Sequence, residues 1–316
     1  MNHILCGDAV EMLQTLPTAS CRCCVTSPPY YGLRDYGCAG QIGLEQTPEA
    51  YIAKLVEVFR AVRRVLTDDG TLWINIADSY AHDKKWGGAS GGKHAKALHG
   101  NTGIGRTKTH TGLKDKDLIG IPWLLAFALR ADGWYLRQEI IWHKPNCMPE
   151  SVRDRCTKSH ESIFLLSKSP RYYFDADAIK EPVQSNKGNS RGFRVENAYT
   201  GGRAFENQAP AGRAAHGNTP NTTGLRNKRD VWTVATAAFK GPHFATFPPD
   251  LIRPCVLAGS APGDTVLDPF FGAGTTGLVA WQEGRAYIGV ELHPDNCKLA
   301  RRRIEEAAWQ MRLEAR

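Results

Sequence analysis

The sequence predicts an α/β fold built on a mostly parallel, twisted sheet with helices on both faces. Three observations carry this prediction. Short apolar runs alternate with stretches of helical periodicity along most of the 316 residues. Several of those runs end in polar residues or prolines, and a glycine-rich turn joins one of them directly to a helix.

Ile4-Leu5-Cys6 is an apolar run that ends at Gly7-Asp8. A second run, Cys21 to Thr26, ends at Pro28-Pro29, where two missing amide donors must terminate a central strand. Thr47 followed by Pro48 is an N-cap and first-turn pair. Ile52, Leu55, Val56, Phe59, Val62 and Leu66 then recur at helical spacing, and the helix is expected to stop at Asp69-Gly70. Thr71 to Asp78 reads as a buried strand and Leu118 to Ala131 as a helix closed by Gly133. The segments WYLRQEIIWHKP and ESIFLLSKSPRYYF read as two neighbouring strands. Toward the C-terminus, TVLDPF is a strand, GAGTTGLVAWQEG a turn and helix, and AYIGVEL a strand. Pro294 opens a last helix with Ala300, Ile304, Ala308 and Met311 on one face.

Two stretches interrupt the alternation, and they divide the chain into a first catalytic part over 1–81, an insertion over 82–116, a middle part over 117–183, a second insertion over 184–230 and a glycine-turn part over 231–316. Both insertions are basic, rich in Gly, Asn and Thr, and poor in branched apolar residues. Loops of that length serve a function or act as linkers, and their charge suits phosphate contact. Lys84, Lys85, Lys93, Lys96, Arg106 and Lys108 in the first, and Arg191, Arg194, Arg203 and Arg213 in the second, are the candidates for nucleic-acid contact.

The overall balance points the same way: 40 Lys and Arg against 32 Asp and Glu give a formal charge of +8, which suits an acidic polymer as partner. The 42% hydrophobic and 23% charged fractions exclude global disorder and fibrous classes. No apolar run reaches eighteen residues, and the start MNHILCGDAVEML has no basic region followed by an apolar stretch. A soluble, cytoplasmic protein without membrane contact is therefore expected. The nine cysteines lack the paired spacing of a zinc site, and Cys21, Cys23 and Cys24 are too crowded for a disulfide framework. Buried free thiols and no metal are the expectation.

Gly272, Gly274 and Gly277 stand in GxGxxG spacing between a strand and a helix, with Glu291 ending the next strand. This is the dinucleotide-binding arrangement: the backbone can approach a ligand, the helix N-terminus favours an anionic group, and the acid can hold a ribose diol. A Rossmann-like site for an adenosine-type cofactor follows. Only one helix comes after Glu291, which leaves no second mononucleotide half and argues against a nicotinamide oxidoreductase. Asp268-Pro269-Phe270 offers a carboxylate and a ring beside the helix N-terminus, which suits an amino-acid moiety joined to adenosine, as in S-adenosyl-L-methionine.

Thr26-Ser27-Pro28-Pro29-Tyr30-Tyr31 closes a strand of the same sheet. The prolines leave carbonyls without local amide competitors; with the Ser27 hydroxyl they could accept both hydrogens of an exocyclic amine while the Tyr30 ring stacks on a heterocycle. An ordinary Pro-Pro turn over a packed aromatic is the alternative.

TSPPYYGLRDYG resembles the catalytic motif of DNA amino-methyltransferases, and LDPFFGAGTTG with YIGVELHPD resembles their S-adenosyl-L-methionine motifs. The order, with the catalytic motif first and the cofactor glycines last, is similar to the circularly permuted beta class. GDAVEML, GTLWINIAD, WHKPN, HESIFLLSKS and HFATFPPDLI extend the resemblance over most of the chain outside the two insertions. It implies the class I methyltransferase fold, with Ser27, Pro28, Pro29 and Tyr30 as catalytic residues. It further implies that Asp268, Pro269, Phe270, Gly272, Gly274 and Thr275 surround the methionine part of the cofactor, that Glu291 holds the ribose, that Asp8 reaches the adenine amine and that Phe247 lines the site. For Asp8 a helix N-cap role, and for Phe247 a core role, stay open.

The implied activity is site-specific methylation of an exocyclic amine in double-stranded DNA, by base flipping and direct in-line transfer. Lys144, within WHKPN, and Arg153, just after it, are expected near the DNA. Methylation at cytosine carbon five would need a thiolate, and the one Pro-Cys pair, Pro254-Cys255, lies inside an apparent helix. In the resembled family Ser at the first motif position goes mostly with the N4 amine of cytosine, so cytosine is favoured over the N6 amine of adenine. A DNA-binding protein without catalysis is the reading from another class. The resemblance also places the chain among restriction-modification enzymes; whether a companion restriction endonuclease exists, the oligomeric state and the target sequence are not legible.

Overall fold

A computed structural model of the chain describes residues 2–33, 37–81, 112–183, 223–236 and 247–314. The ten basic candidates of the two insertions, from Lys84 to Arg213, lie outside the described residues.

The chain forms β1 (His3–Cys6), α1 (Ala9–Thr15), β2 (Cys21–Thr26), α2 (Pro48–Val65), β3 (Leu66–Ile76), α3 (Ile121–Ala131), β4 (Tyr135–His143), β5 (His160–Ser167), β6 (Glu181–Pro182), β7 (Leu225–Arg226), β8 (Val231–Thr233), α4 (Pro249–Gly259), β9 (Thr265–Asp268), α5 (Thr275–Gln282), β10 (Ala286–Glu291) and α6 (Pro294–Glu314). Eight strands make one sheet in the order β1-β10-β9-β2-β3-β5-β4-β8. The first five in that order are parallel to their neighbours. β5 runs antiparallel to both β3 and β4, and β8 runs parallel to β4. β5 is the strand that makes the sheet mostly rather than wholly parallel, as expected. No helix is assigned between β4 and β5, and neighbouring strands joined without a crossover return antiparallel.

Side chains alternate across this sheet. Leu72, Ile74 and Ile76 of β3 enter the core shared with Leu13 of α1, Leu55, Phe59 and Val62 of α2 and Leu125 and Leu129 of α3. Thr71 and Trp73 point the other way, where a Cβ on Gly259 of α4 would meet Thr71 Oγ1 and Trp73 Nε1, both at 2.9 Å. The strands are therefore buried on both faces, which is why they read as near-continuous apolar runs rather than alternating ones.

Local signals set most boundaries. The Thr47 hydroxyl accepts the Ala50 amide, with Pro48 in the first turn of α2. That helix ends at Val65, not at Asp69-Gly70 as the sequence suggested, because Leu66 turns extended and β3 begins there. Gly133 follows α3 with a φ of 97°, the left-handed conformation expected of a helix-ending glycine. On α6, Ala300 and Ile304 are buried but Met311 is exposed, so the expected apolar face covers only the first half of the helix.

Residues 1–178 and 229–316 form one compact unit and 179–228 a second. In the second unit β6 pairs antiparallel with β7, and Glu181 bonds Arg226 at 2.9 Å. Among the described residues, no helix is long and apolar enough to cross a membrane.

Candidate active site

Parallel strands leave their carboxyl ends on one edge of the sheet, and every strongly predicted site residue stands there. Asp8 follows β1, Glu291 ends β10, Asp268 ends β9 and Ser27 follows β2. Those strands are consecutive neighbours, so residues spread over most of the chain converge at one edge. The sheet register sets Cys6, two residues before Asp8, opposite Glu291, and Asp268 opposite Gly289.

The glycine turn is built around Phe271, a buried residue to which the sequence reading gave no role. A Cβ on Gly277 or Gly289 would overlap the Phe271 ring, and one on Gly274 would reach it at 3.2 Å and Ala300 Cβ at 2.9 Å. Gly274 and Gly277 thus admit this ring, which stacks on Tyr287 with centroids 5.8 Å apart. Gly272 and Gly274 have φ of 51° and 76°, left-handed values that glycine adopts without strain, and Gly274 caps α5. Glu291 ties strand to turn: it accepts the Gly272 amide at 2.8 Å, the His293 amide at 2.8 Å and Asn296 Nδ2 at 3.1 Å.

Asp268 is buried, and both its oxygens accept hydrogen bonds. Its Oδ1 accepts the Thr26 hydroxyl at 2.6 Å and the Phe270 amide at 3.0 Å, and its Oδ2 accepts the Thr276 hydroxyl at 2.7 Å. Burial pushes its carboxyl up to about 6 despite these donors. Its side chain braces the strand carrying Ser27 against the glycine turn, aided by Thr276, which also bonds the Val25 carbonyl at 3.2 Å. Thr275 is likewise buried and accepts Arg303 Nη1 at 2.8 Å, so its hydroxyl serves α6. Pro269 is buried, and the half-buried Phe270 meets Phe59 edge-on at 6.4 Å. Phe247 is half-buried just before α4. Asp8 caps α1, its Oδ1 accepting the Val10 and Glu11 amides at 2.9 and 3.2 Å.

Around Ser27 the backbone is held from outside the motif. The Tyr51 hydroxyl of α2 donates to the Pro29 carbonyl at 2.7 Å. The Gly43 carbonyl accepts the Gly32 amide at 2.7 Å, and a Cβ on Gly43 would come within 3.0 Å of the Tyr30 carbonyl. Of the two proline carbonyls, Pro29's is therefore engaged by the protein. The Tyr30 hydroxyl lies 2.6 Å from Glu161 Oε2, 3.3 Å from Asn75 Oδ1 and 3.5 Å from Ser27 Oγ. Burial and the Glu161 carboxylate hold this phenol well above its ordinary range, so it stays protonated.

Lys144 pairs with Glu161 and sits 4.2 Å from the Trp142 ring centroid, committing its ammonium within the protein. Arg153 is exposed. Tyr51, Thr26, Thr276, Asn75 and Glu161 escaped the sequence reading. Asn75 and Glu161 lay in recognised segments, but only the pairing of β3 with β5 brings them to Tyr30. The crowded cysteines are buried free thiols: burial raises Cys21 to about 11 and Cys23 to about 12.

The strand-end groups fit S-adenosyl-L-methionine by their chemistry. Asp8 Oδ2 has no hydrogen bond among the described residues, and Glu291 accepts three where a carboxylate can take about four. The α5 N-terminus suits a carboxylate, and the spare acceptor sites of the two acids suit the donors of an adenine amine and a ribose diol.

The family described as DNA methylase, N6_N4_Mtase, matches residues 21–302. The chain is 48% identical over 300 residues to the type II methyltransferase M.Cfr9I of Citrobacter freundii, covering 95% of this chain and 86% of that one. It is 48% identical over 301 residues to M.SmaI of Serratia marcescens, covering 95% and 90%. Among solved structures it is similar to the PvuII DNA methyltransferase (cytosine-N4-specific), with TM-score 0.61, 17% identity and coverage of 95% and 85%. It is also similar to TTHA0409 of Thermus thermophilus, a putative DNA modification methylase complexed with S-adenosyl-L-methionine, with TM-score 0.57, 24% identity and coverage of 97% and 94%.

Proposed function

The chain belongs to the DNA methylase family, and from that premise we propose that it methylates the N4 amine of cytosine at a specific site in double-stranded DNA, using S-adenosyl-L-methionine. The observation that carries the choice of base is Ser27, whose single hydroxyl heads the Ser-Pro-Pro-Tyr turn where the resembled adenine enzymes mostly carry Asp or Asn. The relatives are named type II methyltransferases, and we assign the same role here: marking DNA against a companion restriction endonuclease.

The cofactor supplies a methyl group activated by a sulfonium. The chain's part is to hold the acceptor amine. Such an amine is a weak nucleophile because its lone pair is delocalised into the ring. Ser27 Oγ and the Pro28 carbonyl accept its two hydrogens, drawing the nitrogen toward tetrahedral geometry and freeing the lone pair. No covalent intermediate is needed. The Pro29 carbonyl, engaged by Tyr51, fixes the turn so that its neighbour stays in place. The target amine is out of reach inside a duplex, so the base is flipped out and the Tyr30 ring offers a stacking face that offsets an unstacking cost of about a few kcal/mol. Asp8 and Glu291 hold the adenosine part, and the α5 N-terminus with Phe270 and Phe247 faces the rest. Arg153 and the two basic insertions contact the DNA backbone and bases.

Incubation with labelled S-adenosyl-L-methionine and mixed-sequence duplex DNA, then nucleoside digestion and mass spectrometry, tests the proposal. N4-methylcytosine is the expected product. N6-methyladenine would reverse the base assignment, and no methylated nucleoside would refute the activity.

A further inference from the structure

Four groups beside Ser27 form one directed hydrogen-bond chain. Glu161 is a carboxylate with an 11% exposed side chain, held at Oε1 by the Lys144 ammonium. Its Oε2 receives Asn75 Nδ2 at 3.1 Å and the Tyr30 hydroxyl at 2.6 Å. An ionised carboxylate only accepts. The single Tyr30 proton therefore goes to Glu161, the shorter and charge-assisted of its two acceptor contacts, rather than to Asn75 Oδ1 at 3.3 Å. With that proton spent, the Tyr30 oxygen can only accept toward Ser27, whose Oγ lies 3.5 Å away. The Ser27 proton then points at Tyr30, and the Ser27 lone pairs point away from it.

We propose that Glu161, acting through Tyr30, fixes the donor–acceptor polarity of Ser27, so that Ser27 presents lone pairs and not its proton to the incoming amine. The inference rests on the reading of Ser27 as an amine-hydrogen acceptor. Glu161 is then a positioning residue: it touches neither the base nor the cofactor. The juxtaposition also explains why a carboxylate and an ammonium are largely buried where β4 ends and β5 begins, where an ion pair is costly to desolvate and stabilises little. Were Glu161 neutral and able to donate, Tyr30 could turn its proton onto Ser27 and compete with the substrate for the same lone pair.

The test is steady-state methyl transfer by the full chain carrying Glu161→Gln, Tyr30→Phe, or both, with duplex DNA and S-adenosyl-L-methionine. Glutamine keeps the shape but offers Tyr30 a donor as well as an acceptor. We expect kcat to fall about 10- to 100-fold in Glu161→Gln, the scale of losing one charge-assisted hydrogen bond. KM for DNA and Kd for the cofactor should stay within about twofold, a split that a general loosening of the fold would not give. Tyr30→Phe removes the middle link, so the double variant should be no slower than Tyr30→Phe alone. An unchanged kcat in either single variant overturns the proposal, as do losses that multiply in the double variant or a rise in KM alone. If Glu161→Gln fails to fold by circular dichroism, Tyr30→Phe decides by the same kcat criterion. The wild-type product reports the underlying reading separately. Either methylated amine leaves the inference standing, since both carry two hydrogens, and a wild-type chain that methylates nothing overturns reading and inference together.

Discussion

Thr26 and Asp268 stand at the ends of neighbouring parallel strands, and the Thr26 hydroxyl donates to Asp268 Oδ1 at 2.6 Å. This bond joins the strand that presents Ser27 to the strand that opens the glycine turn. The two motifs are held in register by a buried contact between residues 242 positions apart.

Thr26→Val keeps the shape and removes this donor. The buried carboxylate keeps the Phe270 amide and the Thr276 hydroxyl. Leaving one acceptor site unsatisfied should lower stability by about 1–3 kcal/mol. Denaturant unfolding measures that loss, and cofactor titration should show weaker binding because the turn shifts. Unchanged values in both would make the contact incidental.

Asp268 also predicts a pH dependence. Burial raises its folded value to about 6, above an unfolded value of about 3.9. A raised carboxyl contributes stability that is fully present below the unfolded value and is lost as pH rises through about 6. Wild-type stability relative to Asp268→Asn should therefore decline between about pH 4 and pH 7. Unfolding free energies of both proteins across that window check the sign, and a difference that grows with pH would contradict it.

Gly289→Ala should be strongly destabilising although every other position of β10 carries a side chain. A Cβ there would overlap the Phe271 ring, which is wedged against Gly277 and Tyr287 and cannot yield. Overpacking of this kind costs about 1–3 kcal/mol. Thermal unfolding of the single variant and of Gly289→Ala with Phe271→Leu separates the causes, since shrinking the ring should restore part of the loss.

Tyr51→Phe removes the hydroxyl that bonds the Pro29 carbonyl. The fold should lose about 0.5–1.5 kcal/mol. The turn carrying Ser27 should loosen, lowering kcat while cofactor affinity holds, because Tyr51 bonds the Pro29 carbonyl, and the contact of α2 with the residues before the glycine turn is made by Phe59 on Phe270, which the substitution leaves in place. Single-turnover kinetics beside a binding isotherm would show this split, and equal effects on both would point to a general loss of structure.

What the sequence determined by itself was set by local chemistry. The α/β class, the glycine turn and the Pro-Pro strand end all follow from residues whose backbone preferences and apolar runs act over a few positions; a shared site for Asp8, Ser27, Asp268 and Glu291 was implied by the family resemblance, and the strand order β1-β10-β9-β2 is what brings them to one edge. Circular order was legible too, since it is a property of the chain. What only the tertiary structure decided depended on long-range pairing. The antiparallel return of β5 places Glu161 against Tyr30, and α2 places Tyr51 over Pro29; neither contact leaves a local signature. Side-chain direction was equally hidden. Asp268 and Thr275 stand where the resemblance implied a cofactor, yet their polar atoms face Thr26, Thr276 and Arg303. The glycines admit Phe271 as well as lining a turn. A motif fixes where the backbone turns; which atoms a buried side chain meets is decided by the neighbours that packing brings to it.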